Sequence, residues 1–107
     1  MESRRSRRLI LSLPAEIICG DRRYPGSIEN ISAEGIYLVT PATMSGEDLA
    51  PGTMPELRFR FLSGEEMHLH CRIKWSYPTP PHGYTNSLGL EIMDPPLTYK
   101  EILNTLK

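Results

Sequence analysis

Four arginines, Arg4, Arg5, Arg7 and Arg8, fall within the first ten residues against the single acid Glu2, so this stretch carries +3 while the rest of the chain carries −4. A guanidinium is a permanently charged planar fork. It grips phosphate bidentately, pairs with the oxygen and nitrogen edge of guanine, and stacks on purines. Arg4 and Arg8 stand four apart just before an apolar run. Arg5 and Arg7 are extra charges that either touch the same ligand or steer it, because alternate residues of an extended arm point away from one another. The plain alternative is a solvated basic terminus. Further along comes Asn30-Ile31-Ser32-Ala33-Glu34-Gly35: an amide, a hydroxyl two residues later, and a glycine that lets backbone approach closely. These are the parts of a tight turn and equally those of a polar ligand site.

Charge this local suits one small, doubly charged anion. A general nucleic-acid binder spreads Lys and Arg over a broad face, since its affinity scales with the phosphates neutralised. The eight aromatics are scattered and form no evident stacking row, which also argues against an RNA or single-stranded DNA platform. His68 and His70 share one strand face and could begin a zinc site, but further ligands are missing and Cys71 points to the opposite side. No metal and no cofactor is therefore expected. Ser, His and acidic residues occur without a nucleophile elbow, an HExxH helix or a phosphate loop, so no enzyme is expected either.

These residues must be positioned by a small framework. The chain has 107 residues and 12.1 kDa, which fits one domain, and 39% apolar against 23% charged residues suits a soluble globular fold. No stretch is apolar enough to span a membrane and the N-terminus lacks a signal-peptide pattern, so a cytoplasmic protein with no membrane partner is expected. Cys19 and Cys71 are read as reduced small hydrophobes rather than a disulfide. Ten Pro and eight Gly, spread throughout, cut the chain into short segments.

Period-two alternation dominates. Leu9, Leu11, Leu13, Ala15, Ile17 and Cys19 share one face of a first strand that Pro14 bends or places at an edge. Tyr24 to Glu29 and Ile36 to Val39 follow as strands, then a polar loop from Pro41 to about Pro55 with turn pairs at Ser45-Gly46 and Pro51-Gly52. Leu57, Phe59 and Phe61 alternate with arginines. Met67, Leu69, Cys71, Ile73 and Trp75 form the apolar side of the clearest strand, and Leu88, Leu90 and Ile92 that of the last. Asp94-Pro95-Pro96 suits the opening of a helix with Asp94 as N-cap, and Leu97, Ile102, Leu103 and Leu106 offer an apolar stripe to the barrel or to a partner. Six strands with local connections close as a small antiparallel barrel or a folded sandwich. The expected core includes Leu11, Leu13, Ile17, Phe59, Phe61, Leu69, Ile73 and Leu90.

The order Arg4-x-x-x-Arg8, a first strand through Ala15-Glu16-Ile17, then Asn30-x-Ser32-x-x-Gly35, resembles the PilZ domain, the bacterial receptor module for cyclic di-GMP. Cys71-Arg72-Ile73-Lys74-Trp75 and Leu88-Gly89-Leu90-Glu91-Ile92 look like that family's last two strands, so the resemblance covers essentially the whole chain. It implies an all-β fold, a six-stranded antiparallel PilZ-type barrel with a short C-terminal helix. It also implies that Arg4 and Arg8 hold phosphates and guanine edges, that Asn30 and Ser32 hydrogen-bond a base and a phosphate, and that Gly35 admits the ligand to the backbone. The family often has Asp where this chain has Asn30, and an amide accepts guanine's donors less strongly than a carboxylate, which bears on affinity. Trp75 has two readings, a core tryptophan or, by the resemblance, a wall of the base pocket.

The expectation is a single domain over residues 1–107, with a flexible basic arm at 1–8, a barrel at 9–93 and a C-terminal helix or tail at 94–107. The ligand set is Arg4, Arg5, Arg8, Asn30, Ser32, Gly35 and Trp75. As a cyclic di-GMP receptor, the chain would order its arm over the dianion and so alter its contacts with an effector protein. The alternative is a PilZ-like adaptor that binds no nucleotide and acts through protein contacts only.

Overall fold

The computed structural model describes residues 8–41, 43–79 and 81–106. Among them, six strands, β1 (Leu9–Cys19), β2 (Arg22–Ile31), β3 (Gly35–Pro41), β4 (Glu56–Arg60), β5 (Glu66–Pro78) and β6 (Thr85–Met93), form a closed barrel in the order β1-β2-β3-β6-β5-β4. Every pairing is antiparallel, and β4 returns to β1. Two helices also lie among the described residues, α1 (Gly46–Leu49) and α2 (Leu97–Thr105).

Alternation builds the barrel as expected. Along β5, Met67, Leu69, Cys71 and Ile73 are buried while Glu66, His68, His70 and Arg72 face solvent. Ile17, Ile28, Ile31, Leu38, Leu57, Leu69 and Leu88 are sealed inside. Of the expected core residues only Leu11 is partly buried, because it lies in a register irregularity between Ile10 and Leu13. Pro14 is tolerated because β4 pairs with β1 only over Ala15 to Ile18, leaving Pro14 beyond the end of that ladder.

The connection from β3 to β4 is more ordered than a polar loop. Ser45, expected in a turn, is the N-cap of α1, and its hydroxyl accepts from the Asp48 amide at 3.2 Å. The Asp48 carboxylate, only 5% exposed, accepts from Arg22 Nε at 2.7 Å, Arg22 Nη2 at 2.9 Å and the Tyr24 hydroxyl at 2.6 Å. Past α1 the chain runs beside β5, where the Gly52 amide donates to the Ile73 carbonyl, the Ile73 amide to the Thr53 carbonyl, and the Cys71 amide to the Pro55 carbonyl. It thereby covers the part of β5 that the five-residue β4 cannot reach.

At the other end of the fold the chain leaves β6 through Asp94, whose φ of 50° lies in the left-handed region. This corrects the expected cap: Asp94 redirects the chain, the N-cap is Pro96, and no side chain caps α2. Aspartate tolerates this conformation, and the two prolines behind it delay the helix. The expected stripe is also redistributed. Leu103 is buried and Ile102 packs on the core, but Leu97 and Leu106 are exposed, and the principal anchor is Tyr99. Its fully buried ring lies 6.3 Å from Phe61, and its hydroxyl donates to the Ser32 carbonyl at 2.6 Å. Burial holds the Tyr99 pKa above the ordinary phenol value, which keeps this group a donor.

Two outcomes are expected. Hydrogen bonds from Arg22, then from Tyr24, hold the Asp48 pKa well below the usual carboxylate range. Its contribution to stability is therefore complete above the unfolded carboxyl value of about 3.9 and is lost as pH falls from there through the lower folded value. Thermal melts should show Asp48→Asn less stable than the parent at neutral pH, with the two curves converging in acid; parallel curves would contradict this. Tyr99→Phe leaves a buried carbonyl unpaired and should cost about 1 to 2 kcal/mol in urea unfolding with an unchanged slope.

Candidate functional site

The segment after β2 closes on itself. The Ser32 amide donates to the Gly35 carbonyl at 2.9 Å, and the Gly35 amide donates to Ser32 Oγ at 3.2 Å. Gly35 is favoured by close approach: a Cβ there would sit a tight 3.0 Å from the Leu90 carbonyl oxygen and 3.4 Å from Arg8 Nη2. Arg8 reaches this turn, with Nη1 3.4 Å from Ser32 Oγ and 3.3 Å from the Gly35 carbonyl. Both contacts are long, so the fork rests against the turn without a tight bond. A depression of about 210 Å³ opens here, lined among others by Arg8, Ser32, Gly35, Lys74, Trp75 and Gly89.

Strand register supplies the opposite wall. Asn30 pairs with Tyr37, Tyr37 with Gly89 and Gly89 with Trp75, a row that crosses β2, β3, β6 and β5. The reading of Trp75 as a continuation of the apolar face of β5 is corrected. Register shifts between Ile73 and Trp75, and this bulge turns Trp75 outward, leaving it 39% exposed. The indole stacks on Tyr77, with centroids 5.1 Å apart and planes 16° apart, and stands 5.8 Å from Tyr37. Tyr37 is fixed by a 3.1 Å hydrogen bond between its hydroxyl and Ser87 Oγ. Arg8 and Lys74, the carboxylates Glu34 and Glu91, and an aromatic face thus border one depression; Glu91 is paired with Arg72, and the Arg8 guanidinium beside the indole suits an anion that carries a flat ring.

The expected residues are therefore only partly assembled. Arg8, Ser32, Gly35 and Trp75 come together. Ser32 is 4% exposed, and its hydroxyl is engaged within the turn and with Arg8. Asn30 does not line the depression, and its Oδ1 is buried with no hydrogen-bond partner among the described residues. Arg4, Arg5 and Arg7 lie outside the described residues. Tyr37, Lys74 and Tyr77 were not expected here. Tyr37 had a signal, since it alternates with Ile36 and Leu38, both buried.

Elsewhere, His68 meets Glu56 at 3.4 Å and Glu66 at 3.2 Å, and the described residues contain no group of three or more His, Cys, Asp or Glu that could hold a metal. Cys19 and Cys71 are free, and burial pushes the Cys71 thiol up to about 12. No described helix is long and apolar enough to cross a membrane.

Known structures share this architecture. Bacillus subtilis MotI/DgrA, an inhibitor of motility, superposes with a TM-score of 0.80 at 18% identity, over 96% of this chain and 48% of that one. The PilZ domain of Escherichia coli YcgR with c-di-GMP gives 0.74 at 13% identity, over 98% and 88%. The K. pneumonia MrkH–c-di-GMP complex gives 0.76 at 17% identity, over 99% and 53%. The chain thus spans about half the length of the first and third of these. No curated protein matches it by sequence. The family model of the PilZ domain matches residues 2–106, which include every residue that builds the barrel, the turn and α2, and the chain belongs to the PilZ domain family.

Proposed function

We propose that the protein is a receptor for cyclic di-GMP, and that the depression beside the Ser32–Gly35 turn is where the dinucleotide binds. The observation that carries this reading is the meeting of the Arg8 guanidinium with that turn next to an outward-facing, stacked Trp75. Family membership supports it, as do the c-di-GMP complexes of the similarly folded Escherichia coli and K. pneumonia proteins.

In this reading Arg8 exchanges two long contacts for a charge-assisted fork onto a ligand phosphate or guanine edge. Arg4 and Arg5 close over the ligand from the arm at residues 1–8, while the barrel at 9–93 and the helical segment at 94–107 serve as the frame. The Trp75 indole gives one guanine a face to stack on. Asn30 lends its amide by a turn of its side chain toward the ligand, which would supply its buried Oδ1 with a donor. Covering the +3 segment with a dianion alters the charge around the depression, and the change is read by an effector protein in the cytoplasm. No catalytic step is part of this function.

Calorimetry on the intact chain tests it. Cyclic di-GMP should bind with salt-sensitive affinity, and Arg8→Ala should cost at least about 2 kcal/mol, roughly thirtyfold. Arg5→Ala should cost less. Equal losses would show that general arm charge holds the ligand, and absence of binding to the intact chain would favour a protein-only adaptor.

A further inference from the structure

We infer that Gly89 is a positioning residue whose missing side chain is the seat on which Trp75 lies, so that β6 holds the indole flat as a docking face for the ligand. This rests on the receptor reading above. A Cβ built at Gly89 would fall 2.2 Å from Trp75 Cε2, 2.4 Å from Nε1 and 2.5 Å from Cζ2, so the ring rests directly on the glycine backbone. Gly35 and Gly26, by comparison, face neighbours at 3.0 Å or more.

Three contacts define the seat. Gly89 lies beneath the ring, Tyr77 is nearly parallel to it but offset with its centroid 5.1 Å away so that the indole stays 39% exposed, and Tyr37 stands at its flank, held by Ser87, whose hydroxyl also meets Thr79 Oγ1 at 2.8 Å. The backbone at Gly89 cannot give way. β6 is laddered to β3 on one side and β5 on the other, and the neighbouring Leu88 and Leu90 are locked in the core. The indole can move, because it lies at the end of a side chain with solvent beside it. A methyl group at position 89 should therefore expel the ring and leave the barrel intact.

An aromatic residue laid over a strand glycine can also serve stability alone. The two roles differ in what the ligand feels. Trp75 is the single tryptophan of the chain, so intrinsic emission reports its seat without any ligand. Gly89→Ala should shift emission to the red and increase acrylamide quenching. Its affinity for cyclic di-GMP should fall about tenfold, within the range of one lost stacking contact. In a Trp75→Ala background the same substitution should change affinity by less than about twofold, because its effect passes through the indole. Unchanged emission and quenching in Gly89→Ala, unchanged affinity, or the same tenfold loss without Trp75 would each overturn the inference.

If Gly89→Ala does not fold, the Trp75→Ala/Gly89→Ala double variant must; failure of both would assign Gly89 to the barrel framework and overturn the seat. Failure of the intact chain to bind cyclic di-GMP would instead remove the proposed ligand, while emission, quenching and the double variant would still decide whether Gly89 seats the indole.

Discussion

The turn from Ser32 to Gly35 is held from both sides of the barrel wall. From within, the buried Tyr99 hydroxyl donates to the Ser32 carbonyl; from without, Arg8 leans on Ser32 Oγ and the Gly35 carbonyl. A third tie runs from the Ile92 amide to the Glu34 carbonyl. Four residues thus join α2, the last strand and the end of the basic segment. A buried carbonyl left without its donor is costly, so α2 and the turn are held in place together. The depression inherits its shape from this constraint, because one of its walls is the turn itself.

The barrel contributes stiffness and three register irregularities, at Ile10/Leu13, Ile28/Asn30 and Ile73/Trp75, of which the last shapes the site wall. A closed sheet has no edge to slide, and four of the six strand pairings around it continue through the residues that flank the site or support it. At Ile73 to Trp75 the register shifts, and side chains beyond that point exchange faces. Before the bulge β5 fills the core. After it, Trp75 and Tyr77 stand outside and Ser76 turns to donate to the Leu49 carbonyl at 2.8 Å. The same strand therefore serves as core and as site wall, and α1, pinned by Asp48, stays beside the switch in face.

Alternation made most of this readable in advance. Six strands and the principal core residues follow from side-chain periodicity and residue type, both of which are local, whereas the meeting of Arg8 with Ser32 and Gly35 is legible only through the family resemblance. The bulge is not local. Ile73-Lys74-Trp75 keeps a perfect apolar and polar rhythm, so nothing in the order of residues marks the point where tertiary pairing breaks it. Ser45 and Asp94 mislead for a related reason: each suits both a turn and a helix cap, and only the path of the neighbouring chain decides between them. Nothing local marks Tyr99 among the apolar residues of α2, because its value comes from a partner 67 residues away.

The central claim is that ligand, arm and barrel meet at the turn and the outward tryptophan. Amide chemical shifts followed while cyclic di-GMP is titrated into the intact chain test it most directly. The account predicts the largest changes at Arg8, at Ser32 to Tyr37, at Lys74 and Trp75, and at Gly89, with Ala15 to Ile18 of β1 and Glu56 to Arg60 of β4 nearly unmoved. Largest changes on the β1 and β4 side of the barrel, or changes spread evenly through every strand, would contradict it.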